Sequence, residues 1–493
     1  DFLMSPDSQL QSLNLRNTGL VFMPVVPDSM KVLDLSDNQL IGFTLPPSVQ
    51  LNQLDISGNP LQNIDLSSLL NSSGLTELDL SYVDGISLSD VQTIMLNNPG
   101  ITKLGLAGME LFSLQDLPLA VLPKLQWLDV SDTGIENVTT IAMLENLQAL
   151  YAANNNIEFI QELSVLPQLR ELDVSGNRII DIAPLNTLTQ LNVLILSNNA
   201  DLDINSLAPL LSQSTNLQKL GLAGIAINDL GQLPIFNPES QLQWLDVSNT
   251  GIDNILIVDV LENLQSLYAS NNDIEFIPAL SLLPQLRELD LSGNRIVDFS
   301  ALNIMTHLSV LNLSNNALTD LSPLLPLIQN NFDLVELGLG GMAINDLSLL
   351  PIFMPESKLQ VLDLSNTGIS DIEPLRSLTN LRELNLSGNS LEFVFPLDSL
   401  KQLQVLNLSD NEIFDLAPVG TLMQLTELNL SNNVIGNVLP LQSLYNLTAL
   451  DLSGNSFIDY SQLLPIIANN PGLVSLNLAD IAIGDQPLDF LMS

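Results

Sequence analysis

Few residues in this 493-residue sequence have the types and spacing that catalysis requires. Asp132-Thr133-Gly134 carries the tripeptide with which two carboxylates, one from each of two copies, share a proton and activate water. A single copy cannot form that pair. The equivalent positions read Asn17-Thr18-Gly19, Asn249-Thr250-Gly251 and Asn366-Thr367-Gly368, so Asp132 is a variable position rather than an acid catalyst. His307 is the only histidine, in Met305-Thr306-His307-Leu308. It can neither relay a proton to a visible nucleophile motif nor build a histidine-rich metal site, and reads as a solvated or half-buried loop residue. No glycine loop with its lysine is placed to cradle phosphate, and the Gly-Leu-Ala-Gly stretches at 105 and 221 fall on strands. Cysteine is absent, which removes disulfides and thiolate metal sites. The sequence therefore predicts no enzyme, no catalytic residue and no cofactor-binding residue.

Two other constellations point to binding. Asp34, Asp55 and Asp79 occupy one outward position in three successive copies of a repeating frame, about 4.8 Å apart on one face. Three adjacent carboxylates repel unless a cation intervenes, and oxygen ligands alone suit Ca²⁺. A hydrated acidic ridge is the plainer alternative, since no loop supplies the six or more ligands calcium wants. Trp127 and Trp244 are the only tryptophans, and each is followed one copy later by a tyrosine, Tyr151 or Tyr268. Both pairs are expected diagonally adjacent and exposed, as anchors for a protein partner or a stacked sugar ring, or else as cover for neighbouring strand backbone. Lys103 and Lys219 precede each tryptophan by one copy, while Arg170-Glu171 and Arg287-Glu288 follow by two. The third equivalent has Val361 and Asn385 instead. Asn-x-Ser/Thr at Asn71, Asn137, Asn312, Asn385, Asn407, Asn429 and Asn446 is mainly a by-product of the strand text.

The elements that must position these residues follow from self-similarity. The frame L-x-x-L-x-L-x-x-N-x-L starts at 10, 30, 51, 75, 101, 125, 147, 169, 191, 217, 242, 264, 286, 308, 334, 359, 381, 403, 425, 447 and 473, which makes twenty-one coils. Clear copies are Leu169 to Ile179, Leu286 to Ile296 and Leu381 to Leu391. Frame positions 1, 4, 6 and 11 point inwards, and positions 2, 3, 5, 7 and 8 outwards along a short parallel strand. Each coil buries its apolar edge only against its neighbours. Position 9 predicts a structural ladder of buried asparagines whose amides satisfy backbone groups of adjacent coils: Asn38, Asn59, Asn155, Asn177, Asn199, Asn272, Asn294, Asn316, Asn389, Asn411, Asn433 and Asn455.

This frame resembles the leucine-rich-repeat family over the whole chain. The common 22-residue spacing, with tails such as Asp181-Ile-Ala-Pro-Leu185 and Asp371-Ile-Glu-Pro-Leu375, is similar to its bacterial internalin-type branch. The resemblance implies an α/β solenoid with a parallel concave sheet, short helices and turns on the convex side, and a protein or glycan bound on the concave face.

A longer period sits above the coil. After 75, 191, 308 and 447 the spacing stretches to 26 residues, and the extra text, such as Val91 to Met95 and Leu463 to Ile467, predicts a short helix. The next coil has an apolar residue in the asparagine slot (Met109, Ile225, Met342, Ile481), and the one after has threonine (Thr133, Thr250, Thr367). Val83 and Thr18 are further exceptions. Super-repeats of about five coils result, at approximately 1–98, 99–214, 215–331, 332–470 and, as the start of another, 471–493. Asp1-Phe-Leu-Met-Ser5 recurs as Asp489-Phe-Leu-Met-Ser493, and the threonine slot due near 506 coincides with Thr18 displaced by 488 residues. The expectation is a segment of a longer array, or subunits joined end to end through termini without polar caps.

Composition bounds the partners. Thirteen Lys+Arg against 55 Asp+Glu give a net charge of −42. Such a chain repels phosphate backbones and anionic lipid, which argues against nucleic acid and membrane-surface partners. No apolar run is long enough to span a bilayer. A chain starting at Asp1 would already have lost any targeting segment. Carboxylate density suits saline or calcium-containing water outside a cell, and the missing cysteine caps suggest a microbe. The sequence thus predicts a non-enzymatic extracellular or cell-surface structural or adhesion solenoid, a segment of a longer array or an end-to-end filament. The alternative is an intracellular module binding one protein in its concave face.

Overall fold

The computed structural model describes residues 8–70, 72–235, 239–277, 280, 283–318, 322–348 and 357–481. The chain forms two compact units, Asp1–Thr250 and Gly251–Ser493.

Every coil read from the sequence has a strand at frame positions 3 to 5. Eleven belong to the first unit, from Ser12–Asn14 to Trp244–Asp246, and ten to the second, from Ser266–Tyr268 to Ser475–Asn477. Within each unit the strands pair in parallel with no register slip: Leu13 opposes Leu33 and Leu33 opposes Leu54, as Leu267 opposes Leu289 and Leu289 opposes Leu311. The middle residue points inwards, and Leu54, Leu128, Leu172, Leu289 and Leu406 are all buried. Each such leucine contributes about 1.5–3 kcal/mol by leaving water.

The strand is shorter than the outward run of positions 2, 3, 5, 7 and 8 implies. Position 7 is a turn residue, because the side chain at position 5 ends the strand. Asp173 Oδ1 accepts from the Ser175 amide at 2.9 Å and from its hydroxyl at 2.6 Å, and Asn312 does the same to the Ser314 amide at 3.1 Å. The serine is thereby drawn in, so that Ser36, Ser81 and Ser131 are buried. Position 8 then takes a left-handed conformation, as at Asn154 and Gly176.

Position 9 behaves as its chemistry requires. Asn177 Nδ2 donates to the carbonyls of Ala152 in the preceding coil and of Val174 and Ser175 in its own, while its Oδ1 accepts from the Ile157 amide. All twelve expected asparagines donate to the carbonyl three residues back, and all are buried except half-buried Asn389.

Where the ladder breaks, the apolar and threonine slots act as a pair. The amides of Leu111 and Phe112 both donate to the Thr133 carbonyl, as those of Ile227 and Asn228 do to Thr250. Thr133 Oγ1 donates to the Val130 carbonyl at 2.6 Å, and its amide to Asn155 Oδ1. Backbone groups that an asparagine would have served are met by the next coil instead.

Each 26-residue coil carries the predicted helix: Leu88–Asn97, Ala208–Gln213, Leu325–Asn330 and Leu463–Asn469. Ser87 caps the first, its hydroxyl accepting from the Asp90 amide. The 22-residue coils return through single 3₁₀ turns such as Ala183–Thr187 and Glu373–Ser377. A second parallel pair, Gly42–Thr44 with Asn63–Asp65, has no counterpart in the repeat frame. No helix among the described residues is long and apolar enough to cross a membrane. The matching terminal pentapeptides lie outside the described residues.

Candidate functional site

The sheet face of the first unit gathers the residues singled out for binding. Trp127 lies beside Lys103 in register, and Tyr151 beside Asp129, so tryptophan and tyrosine meet on the diagonal. Their ring centroids are 5.4 Å apart at 43°. The Lys103 ammonium stands 4.6 Å from the indole centroid and 3.4 Å from Asp79 Oδ2. Tyr151 donates its hydroxyl to Glu171 Oε2 at 2.5 Å. Burial first, then that bond to a carboxylate, pushes the phenol far above its ordinary value. Contrary to the expectation of exposure, Trp127 and Tyr151 are half-buried, because lysine, indole and phenol cover one another.

Lys219 stands likewise 4.2 Å from the Trp244 centroid in the first unit. In the second unit Tyr268 donates to Glu288 Oε2 at 2.5 Å, and Ser266 donates to the same oxygen at 3.0 Å. Trp244 and Tyr268 are both half-buried. Arg170 is exposed and Arg287 half-buried.

The carboxylate row forms as expected, Asp34 opposing Asp55 and Asp55 opposing Asp79. Each gives one oxygen to the turn amide of Ser36, Ser57 or Ser81. The second oxygen of Asp34 accepts from Asn14 Nδ2 at 2.8 Å, and that of Asp79 faces Lys103. Burial, then the charges of Asp79 and Asp34, raise the Asp55 carboxyl above its ordinary value, partly offset by its bonds from Ser57. Five of the six oxygens in the row are thus engaged, and no group of three acidic residues placed to hold a metal ion is found among the described residues.

Two site residues escape the sequence reading. Tyr82 and Phe112 have φ of +56° and +58°, in left-handed slots that equivalent coils fill with Gly, Asn or Asp. Tyr82 lies over Gly108, whose added Cβ would fall 2.7 Å from the ring, and donates its hydroxyl to Asp132 Oδ2 at 2.7 Å. Phe112 lies over Gly134 in the same manner, at 3.2 Å. Tyr82 is 56% exposed and Phe112 65%, so both side chains stand largely in solvent. Burial and the bond to Asp132 push the Tyr82 phenol up to about 12. Comparing slots would have found both, since Asn228 and Asn345 stand where Phe112 does.

The other candidates are scattered. Asp132 serves Tyr82 and has no second carboxylate of the D-T-G type beside it in sequence. His307 is exposed, 3.6 Å from Asp333, which Lys358 also meets at 2.8 Å. The lysine, before the histidine, holds the Asp333 carboxyl below its ordinary value. In the second unit a groove of about 570 Å³ is lined by Lys358, Arg382 and Lys401 with Val335 and neutral polar residues. The sheet face of the first unit thus gathers aromatic rings, a cation and hydrogen-bonded carboxylates on adjacent strands.

Comparisons with known proteins agree with this architecture. Residues 167–209, 262–304, 284–326, 357–396 and 379–420 match the family model described as Leucine Rich repeats (2 copies), residues 123–179 that described as Leucine rich repeat, and residues 422–438 a further Leucine Rich repeat model. Among solved structures, an internalin from Listeria monocytogenes is similar at 27% identity and a TM-score of 0.42, over 76% of this chain and 91% of that one. The leucine-rich-repeat ectodomain of a membrane receptor kinase from Arabidopsis thaliana, in complex with Casparian strip integrity factor 2, has 22% identity and a TM-score of 0.51, over 95% of this chain and 67% of that one. A leucine-rich-repeat protein from Leptospira interrogans has 21% identity and a TM-score of 0.42, over 96% and 97%. No curated protein matches the sequence.

Proposed function

This chain is a leucine-rich-repeat protein whose repeats resemble the internalin type, and from that premise we propose that it is a non-enzymatic recognition solenoid working at a microbial cell surface or outside the cell. Its partner is a protein, held on the open face of the sheet in the first unit. The single observation that carries this reading is the Lys103, Trp127, Tyr151 and Glu171 constellation, four side chains from four successive strands locked to one another. A side chain already ordered loses little freedom on binding, and aromatic anchors dominate protein interfaces. Super-repeats of about five coils supply regular spacing for such a surface. Association of several chains end to end would multiply weak contacts into adhesion.

Two measurements test the reading. Antibody against the folded chain should label intact source cells or their medium; labelling only after permeabilisation would place the protein inside and favour a module binding one intracellular partner. Beads coated with the full chain should adhere to target cells or matrix. The double variant Trp127→Ala/Tyr151→Ala should reduce that adhesion at least about 10-fold without changing the circular dichroism spectrum. Undiminished adhesion would remove the sheet face as the binding surface.

A further inference from the structure

Tyr82 and Phe112 break a rule that the rest of the chain keeps. At frame position 8 the backbone is left-handed, and apart from Tyr82 each of the twenty-one coils places Gly, Asn or Asp there. Phe112 stands in a left-handed slot held by Asn228 (φ 61°) and Asn345 (φ 59°) in the equivalent coils. A bulky residue in that conformation costs about 1 kcal/mol or more, so a cheaper residue was available at both sites. Burial does not offset the cost at Phe112, which is 65% exposed. Each ring approaches a glycine of the next coil along its Cδ1–Cε1 edge, and each residue stays more than half exposed.

These rings stand on coils of the sheet-face site, Phe112 in the coil of Lys103 and Tyr82 bonded to Asp132 in the coil of Trp127. In the coils that start at 75, 101, 125 and 147, frame positions 2 to 8 hold one basic residue, Lys103, against Glu77, Asp79, Asp129 and Asp132. Gly105 lets the Asp79 carboxylate lie over the strand: a Cβ there would fall 2.2 Å from Asp79 Oδ1, and Asp129 opposes Gly105 on the other side. Burial, then its acidic neighbours Asp79 and Asp173, raise the Asp129 carboxyl above its ordinary value despite bonds from Ser131. The one cation present is stacked on Trp127 and paired with Asp79.

We propose that the Trp127 and Tyr151 surface continues across the sheet edge to Tyr82 and Phe112, and that it takes an extended, arginine-bearing polypeptide segment whose guanidinium groups replace Lys103 on the indole and stack on the two open rings. The proposal rests on the sheet-face reading of function and adds the ligand's chemistry. Planar guanidinium matches flat rings and flanking carboxylates at once, which a compact ammonium does less well. An acidic peptide would be repelled here, and a neutral sugar would gain nothing from the charge.

The test is calorimetry on the full chain at about 150 mM salt, where distant charges are screened. The probes are a twelve-residue peptide of alternating arginine and serine, its lysine and glutamate counterparts, and cellohexaose. The arginine peptide should bind about 3- to 10-fold more tightly than the lysine one. Tyr82→Asn/Phe112→Asn should weaken it about 10-fold while holding or raising Tm, because asparagine suits both left-handed slots. Lys103→Gln should tighten it about 3-fold, by removing the competing cation. Absence of arginine-peptide binding, equal binding by the asparagine variant, weaker binding by Lys103→Gln, or preference for the glutamate peptide or the sugar would each overturn the proposal. If bead adhesion depends on Trp127 and Tyr151 while the arginine peptide fails to bind, the sheet-face reading stands and the ligand class falls.

Discussion

Asp55 shows how one residue can be needed for geometry and still burden stability through its charge. Its Oδ1 holds the Ser57 turn, yet burial and the carboxylates on either side raise its pKa. A raised folded-state pKa means that the folded chain binds more protons than the unfolded one between the ordinary carboxylate range and the raised value, so stability falls as pH climbs through that window and stays lowered above it. Asparagine keeps the turn acceptor without the charge, as Asn385, Asn407 and Asn429 do in equivalent coils. Asp55→Asn should therefore raise Tm at pH 7, on the order of 2 °C, with the difference shrinking towards pH 3. Equal melting curves at both pH values would show that solvent already screens the row. The row itself, like the meeting of Trp127 with Tyr151, was legible because strand side chains repeat every two residues and coils stack in register. What was not legible was depth: half-burial of Trp127 depends on where the Lys103 chain folds, and spacing does not encode that.

At the level of the coil, the sequence announces its own hydrogen bonds at position 9 and hides them elsewhere. An asparagine beside two leucines in a fixed frame can satisfy buried backbone in only a few ways, and all twelve do so alike. Asn294 Nδ2 donates to the carbonyls of Ala269, Leu291 and Ser292, and its Oδ1 accepts from Ile274. Asn294→Ala orphans these buried groups and should cost about 3 kcal/mol. Urea denaturation followed by hydrogen exchange should show protection lost first at Ala269 to Ile296; a loss under about 1 kcal/mol would mean that water replaces the amide. The partnership of apolar and threonine slots was not legible, because Leu111 and Phe112 reach the Thr133 carbonyl through backbone, which any residue possesses. The second strand pair, Gly42–Thr44 with Asn63–Asp65, was missed for the same reason.

For the molecule, stability built from nearest-neighbour coils makes the frame matter more than the number of residues. Deleting residues 381–402, one complete coil of the second unit, joins Asn380 to Leu403 with the frame intact. The strand Val361–Asp363 then meets Val405–Asn407 instead of Glu383–Asn385, and the Thr367 amide, which now donates to Asn389, finds Asn411 in the same place. Deleting only 392–402 keeps the strand Glu383–Asn385 and Asn389 but removes the 3₁₀ return Phe395–Ser399 with buried Leu397. The coil then has no path back to the sheet, and the leucines of coils on both sides lose their cover. In a globular core the smaller excision is the milder one. Here the order should reverse: the 22-residue deletion should unfold cooperatively with Tm lowered by at most about 5 °C, and the 11-residue deletion should lose more than about 3 kcal/mol in urea. The opposite order would mean that the coils of this unit are held by contacts longer than nearest neighbour, and the additive account of the solenoid would have to be given up.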